Sequence, residues 1–94
     1  MIRVIIERVI AETLEANYEQ AAMEILQRAV AAPGFISGES LRDLQNPRHR
    51  MILCKWRSLA EWQQWQDSPE RKEMMDKLNL MLEKEENVTL LDSP

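Results

Sequence analysis

Residues 2–10 read Ile2-Arg3-Val4-Ile5-Ile6-Glu7-Arg8-Val9-Ile10. Apolar and charged side chains alternate along this run and β-branched residues dominate it, as in a β-strand. One face is apolar apart from Arg8, whereas the other carries Arg3 and Glu7 beside Ile5 and Val9. We therefore expect a strand with one face in the core and a second, mixed face that still has apolar surface to cover.

The next segment predicts an amphipathic helix over residues 14–31. Its apolar residues recur every three or four positions with charged residues between them, which is the helical period. Thr13 is the expected N-cap. Pro33 and Gly34 are typical of the residues just past a helix end.

Two strands follow, over residues 35–44 and 49–57. The Asn46-Pro47 turn between them is short, so we expect an antiparallel hairpin. Gly38 interrupts the first of these strands, which indicates either a bulge or a close approach of the backbone to a neighbour.

The remainder predicts two helices and a last strand. Ser58-Leu59-Ala60-Glu61 is a capping box that opens a short helix carrying Leu59, Trp62 and Trp65. Ser68-Pro69-Glu70 combines an N-cap, a proline at the first helical position and an acid near the positive end of the dipole. This second helix is expected to run to about Glu85, before a strand over residues 87–92.

The predicted order, β-α-β-β-α-α-β over a single domain of residues 1–94, favours an α+β fold of the ferredoxin-like type. Its four-stranded antiparallel sheet would carry the helices on one face. Ile5 and Val9 would then remain on the open face, and a small protomer gains from covering them. We expect a homodimer through that face, a dimeric α+β barrel. The alternative is a monomer with a partly wet sheet face.

Composition narrows the partners and the compartment. The net charge of −4, with acids and bases interspersed, argues against nucleic acid, which needs a basic face. Charges interrupt the N-terminal run, which fits neither a signal peptide nor a membrane span. One cysteine, Cys54, cannot form an internal disulfide. The expected location is the cytoplasm.

Two runs resemble the antibiotic biosynthesis monooxygenase (ABM-like) family. They are Pro33-Gly34-Phe35-Ile36-Ser37-Gly38-Glu39-Ser40-Leu41-Arg42 and Lys55-Trp56-Arg57-Ser58-Leu59-Ala60-Glu61-Trp62-Gln63-Gln64-Trp65-Gln66-Asp67-Ser68-Pro69-Glu70-Arg71. The first is similar to the helix-to-strand segment of these domains, and the second to their strand-to-helix segment. The resemblance implies the dimeric barrel fold and a small-molecule ligand, but fold does not fix the reaction.

One activity that the resemblance implies is cofactor-independent monooxygenation of a small, planar, electron-rich compound. The pocket would lie between the sheet and the helices, with Glu7, on the side of the presumed barrel interior, helping to remove a proton. Trp65 would border the ring, and Arg71 or Arg42 would steady an anionic form. The candidate substrate-binding residues are Trp65, Arg71, Arg42, Met75 and Trp62.

Two other functions stay open. The haem-degrading branch of the family uses an asparagine, a tryptophan and an iron-ligating histidine. This chain resembles that branch only at Trp65, because Glu7 stands at the asparagine position and Met75 at the histidine position. Proximal histidine is the usual ligand of reactive haem, so we expect no cofactor, with haem binding through altered ligands as an alternative. The third possibility is a non-catalytic dimeric module that binds a small ligand or serves regulation.

Several of the same residues also have structural interpretations. Glu7 would form an ion pair, with Arg3, Arg42 or a partner arginine, and Arg71 would pair with Asp67 or Glu70. His49 would be a solvated turn residue without a metal. At least two of the three tryptophans are expected to pack in the core. Cys54 is expected to be an inert buried thiol. The run of Glu83, Glu85 and Glu86 would be a solvated helix end.

Overall fold

The computed structural model describes residues 1–94 and contains seven elements in the predicted order. They are β1 (Ile2–Val9), α1 (Glu15–Val30), β2 (Phe35–Arg42), β3 (His49–Trp56), α2 (Leu59–Gln66), α3 (Pro69–Asn79) and β4 (Asn87–Asp92).

The four strands form one antiparallel sheet in the order β2-β3-β1-β4. β1 and β3 lie in the centre, with Ile6 opposite Ile52 and Val4 opposite Cys54. β2 and β4 are the edges. This order, with the helices between the strands, confirms the ferredoxin-like α+β fold.

The hydrophobic core lies between the sheet and the helices. Along β1 and β3 every second residue is buried, and Val4, Ile6 and Trp56 are among the most buried residues. Tyr18 and Ile25 of α1 face them from the helical layer. The other residues of β1 and β3 face the opposite side of the sheet, where Ile5 and Leu53, for example, remain partly exposed.

Both predicted serine caps are present. The Ser58 Oγ accepts a hydrogen bond from the Glu61 amide at 3.2 Å, and the Ser68 Oγ accepts one from the Arg71 amide at 3.2 Å. Pro69 follows at the start of α3, where its missing N–H costs nothing. These caps fix where α2 and α3 begin, and so where Trp62, Trp65 and Arg71 point.

The helix boundaries differ from the prediction at two places. Leu14, not Thr13, caps α1, without a side-chain hydrogen bond, and Thr13 takes a φ of 68°. The end expected at about Glu85 is wrong, because α3 ends at Asn79. The following segment pairs with β1 instead: Leu82 bridges Ile10, and the Glu83 amide donates to the Val9 carbonyl at 2.8 Å.

The edge strand β2 is shorter than expected and its irregularity lies elsewhere. It ends at Arg42, and its register shifts between Phe35 and Ser37, ahead of Gly38. A Cβ on Gly38 would lie 3.2 Å from the Phe35 ring and 3.3 Å from Leu26. The close approach is therefore confirmed, whereas the bulge is not at this glycine.

Candidate functional site

A small cavity lies between the sheet and the helices. Its volume is about 30 Å³, which holds about two water molecules. Ten of its twelve lining residues are apolar or weakly polar, and the two charged ones are Arg8 of β1 and Arg71 of α3. The lining residues are Ile6, Arg8, Ile25, Leu26, Ala29, Phe35, Ile52, Cys54, Trp56, Trp62, Trp65 and Arg71.

Aromatic rings form one wall of the cavity. Trp56 meets Phe35 and Trp62 edge to face, with ring centroids 5.4 and 5.7 Å apart. The indole N–H groups of Trp56 and Trp62 are buried, and neither has a hydrogen-bond acceptor. Such groups are uncommon in folded proteins, and a bound acceptor would satisfy them.

The two arginines of the cavity share one carboxylate. Arg8 Nε lies 2.8 Å from Glu86 Oε2, and Arg71 Nη2 lies 3.1 Å from Glu86 Oε1. Burial alone would raise the pKa of Glu86, but the charges of Arg8 and Arg71 outweigh it and hold that pKa below its ordinary value. Glu86 is therefore ionised at neutral pH, and the cluster keeps one net positive charge.

The two arginines differ in how fully they are bonded. Arg8 also donates to the Tyr18 hydroxyl at 3.3 Å and to the Met75 sulfur at 3.8 Å. Arg71 makes a single side-chain hydrogen bond, to Glu86, and lies 5.6 Å from the centre of the Trp62 ring. Because a guanidinium has five N–H donors, Arg71 keeps donors free beside the cavity.

Trp65 separates the cavity from a groove on the surface. It is buried and lines the cavity, and it also lines a groove of about 380 Å³ with Pro33, Gln64 and Ser68. No other residue borders both spaces. Trp65 is therefore the side chain that lies between the two spaces.

A second polar cluster lies on the opposite, open face of the sheet. His49 Nδ1 lies 3.1 Å from Asp43 Oδ2, and His49 Nε2 lies 3.4 Å from Glu7 Oε2. The hydrogen bond to Asp43, and then that to Glu7, raises the pKa of His49. The same bond to His49 lowers the pKa of Asp43. His49 is thus not a free turn residue.

The structure brings together only part of the predicted site. Trp62, Trp65 and Arg71 share the cavity. Arg42 is exposed on the edge strand opposite Arg50, away from it. Glu7 does not share that cavity with Trp65, because its neighbours Ile6 and Arg8 face the helices and Glu7 lies on the other, mixed face of β1.

The three positions shared with the haem-degrading branch do not surround one space. Glu7 lies on the open face, and the buried Met75 sulfur contacts Arg8 without lining the cavity. Of the three, only Trp65 borders the cavity. No group of three or more His, Cys, Asp or Glu side chains has the geometry of a metal site.

Glu86 and the role of Arg8 were not predicted from the sequence. Glu86 was expected on a solvated helix end, but its side chain is only 12% exposed and holds both arginines. The sequence does carry one signal, since Arg8 interrupts an apolar strand face and needs a buried partner. Nothing local indicates which acid supplies it, because Glu86 is 78 residues away.

The pKa of Cys54 is raised, first by burial. Its thiol is therefore neutral at physiological pH, in agreement with the expected inert thiol. No helix has both the length and the apolar character that a membrane crossing requires.

Comparison with known proteins gives relatives in streptomycetes. Protein SchA of Streptomyces halstedii is 31% identical over 74 residues, which are 79% of this chain and 20% of that protein. The 42.8 kDa protein in the whiE locus of Streptomyces coelicolor is 25% identical over 77 residues, 82% of this chain and 19% of that protein. The chain thus spans about a fifth of the length of these relatives.

Solved structures share the fold at low sequence identity. One antibiotic biosynthesis monooxygenase superposes with a TM-score of 0.91 at 16% identity, covering 100% of this chain and 99% of that one. SnoaB, a cofactor-independent oxygenase from Streptomyces nogalater, gives 0.86 at 13% identity, covering 99% and 93%. A conserved protein from Methanosarcina mazei Go1 gives 0.92 at 19% identity, covering 99% and 92%.

The family model described as antibiotic biosynthesis monooxygenase matches residues 1–77, which include β1, the cavity tryptophans and Arg71. The chain therefore belongs to the antibiotic biosynthesis monooxygenase family.

Proposed function

We propose that this domain is a cofactor-independent monooxygenase that acts on a small planar aromatic compound in the cavity between sheet and helices. The observation that carries the proposal is the lining of that cavity, where Trp62, Trp65 and Arg71 meet. Aromatic walls suit a flat ring, and the guanidinium suits the negative charge that an electron-rich substrate carries before it reacts with oxygen. The activity of SnoaB, a member of the same fold class, agrees with this reaction.

A monooxygenase without a cofactor takes all its electrons from the substrate. In the simplest balanced form, a CH₂ group activated by adjoining rings becomes a carbonyl. One atom of O₂ becomes the carbonyl oxygen, and the other leaves as water with the two hydrogens. The protein contributes a dry site, the orientation of the ring and a positive group beside the developing anion.

The cavity has to open for such a substrate. Its volume of about 30 Å³ is far below that of an aromatic ring system, whereas ligand sites commonly enclose about 300 Å³ or more. Trp65 is the one residue shared with the surface groove, and the space that its ring vacates would become part of the pocket. We propose that substrate enters by displacing Trp65 toward the groove.

We also propose that the domain works as a homodimer through the open sheet face. This face presents Ile5 and Val9 of β1 with Met51 and Leu53 of β3, all partly exposed. An isologous pairing of two such faces would remove this apolar surface from water.

The activity test follows O₂ consumption with anthrone, whose CH₂ group lies between two rings, and anthraquinone formation in parallel. We expect turnover by the protein, lowered about tenfold or more by Trp65→Ala and by Arg71→Met. Lys72→Met is the matched control, since Lys72 is an exposed cation beside Arg71 and lies outside the cavity. Equal turnover in all four proteins would contradict the assigned roles.

A second candidate function is a binding module without catalysis. It is favoured by one observation, namely that no carboxylate and no histidine lines the cavity. Binding of flat aromatic compounds without any O₂ consumption, over a panel of anthrones, phenols and hydroquinones, would support this function over the oxygenase.

A further inference from the structure

The cavity lacks a group that would accept a proton at neutral pH. Its polar lining residues are Arg8 and Arg71, whose guanidinium groups only donate hydrogen bonds, and Cys54, whose thiol has a pKa raised by burial. No carboxylate lines the cavity itself, because Glu7 faces away from the helices and Glu86 is not among the lining residues. Glu61 and Glu70 lie in the groove on the other side of Trp65, where Arg57 and Arg28 pair with them. A ligand that must be negatively charged in this cavity has to lose its proton before it enters.

The charge of the cavity wall is set by three residues. Arg8 and Arg71 bring two positive charges and Glu86 one negative charge, all at contact distance. Each of the three Arg8 nitrogens has a partner within the protein, namely Glu86, Tyr18 or Met75, so Arg8 uses three of its five donors. The spare positive charge therefore faces the ligand through Arg71, which has only one hydrogen bond.

Glu86 and Trp62 fix the position of the Arg71 guanidinium. The carboxylate binds it at 3.1 Å, and the Trp62 ring lies 5.6 Å from its central carbon. The unpaired indole N–H groups of Trp56 and Trp62 add neutral donors in the wall of the same cavity. Together these groups suit a flat ligand with one charged group and further acceptor oxygens.

We propose that the cavity selects a planar ligand that arrives as a preformed monoanion, bound by Arg71, with Glu86 as the positioning residue that holds Arg71 and limits the site to one net positive charge. This inference rests on the proposed function, since it names the ionic form of the substrate of that same cavity. The substrate then loses its proton to solvent before it binds, and no side chain of the protein acts as a base.

The binding experiment uses tryptophan fluorescence with three probes that share the naphthalene ring and differ in charge: 2-naphthoate, the neutral 2-naphthylmethanol and the dianion 2,6-naphthalenedicarboxylate. We expect 2-naphthoate to bind at least about tenfold more tightly than the neutral probe. Arg71→Met leaves the neutral pair of Arg8 and Glu86 and should abolish this preference while the neutral probe still binds. The matched control is again Lys72→Met, which should keep it.

Glu86→Gln is the second variant, and it raises the charge of the site from one to two. We expect the affinity for the dianion relative to 2-naphthoate to rise about tenfold or more. Glu85→Gln removes an exposed acid next to it and should change nothing. Circular dichroism of each variant verifies that it is folded, and if one of the pair does not fold, the other variant still decides.

The pH profile provides the independent readout. If no protein base acts, kcat/KM for anthrone should rise with pH along the ionisation of anthrone itself. A plateau well below that ionisation would reveal a protein base and overturn the inference. Equal binding of charged and neutral probes would also overturn it, while leaving the proposed oxygenase intact. Failure of every probe to bind would instead refute the cavity as a ligand site, and with it the proposed function.

Discussion

At the scale of single residues, His49 gives the chain a pH-dependent contribution to stability. Its raised pKa, caused first by Asp43 and then by Glu7, means that the folded state favours the protonated imidazole. That contribution is full below the unfolded value of 6.5 and is lost as pH rises through the higher folded value. The lowered pKa of Asp43 acts at the other end, since its contribution is lost as pH falls below 3.8.

We therefore predict that His49→Gln lowers the melting temperature most between about pH 4 and pH 6.5, and progressively less at higher pH. Thermal unfolding of both proteins across a pH series measures the difference. Because His49 is the only histidine, its ring resonance in an NMR titration reports the folded pKa directly. A difference in melting temperature that stays constant with pH would argue against the ion pairs.

Three residues of the cavity could be predicted from the sequence, whereas Glu86 beside it could not. Trp62, Trp65 and Arg71 were predicted as site residues, and they share one cavity because they lie on two successive helices whose caps are readable locally. Glu86 was not predicted, because it is buried by its ion pair with Arg8, which joins the first strand to the segment just before the last strand. Glu7 lies on the mixed face of the first strand, where it was expected, whereas the cavity between the sheet and the helices lies on the other face.

At the scale of elements, order and strand positions followed from local periodicity, whereas the end of α3 did not. Helix-compatible residues continue past Asn79, but Ile10 and Val9 of the first strand region bind Leu82 and Glu83 through the backbone. A contact between distant parts of the chain therefore overrides local helix preference. The irregular segment that results lets Glu86 turn inward.

Ser68 is the N-cap of α3, the helix that carries Arg71, and its contribution to stability can be tested. Its hydroxyl accepts from the Arg71 amide at 3.2 Å and donates to the Trp65 carbonyl at 2.7 Å. We predict that Ser68→Ala lowers the free energy of unfolding by about 1 kcal/mol, or about 4–8 °C in melting temperature. Urea unfolding measures it. Ser40→Ala, on the exposed edge strand, is the control, and an equal loss in both would contradict the capping role.

At the scale of the whole molecule, the two faces of the sheet make different demands. The helices cover one face completely enough that Val4 and Ile10 are fully buried. The open face pairs Ile5 with Leu53 at its centre, where neither residue is fully buried. A small protomer buries only a modest fraction of its surface on folding. A second copy that covers this partly exposed apolar face would therefore add stability.

The homodimer is testable through a charge at the centre of the open face. Leu53→Lys would place two unpaired cations near the proposed two-fold axis, and an uncompensated buried charge costs about 3 kcal/mol or more. We predict that the dimer dissociation constant rises at least about 100-fold, seen as a monomer by light scattering at micromolar concentration. Leu80→Lys is the matched control, since Leu80 is 82% exposed beyond the end of α3. A wild-type protein that is monomeric at tens of micromolar would refute the barrel. A dimer insensitive to Leu53→Lys would place the interface on another surface.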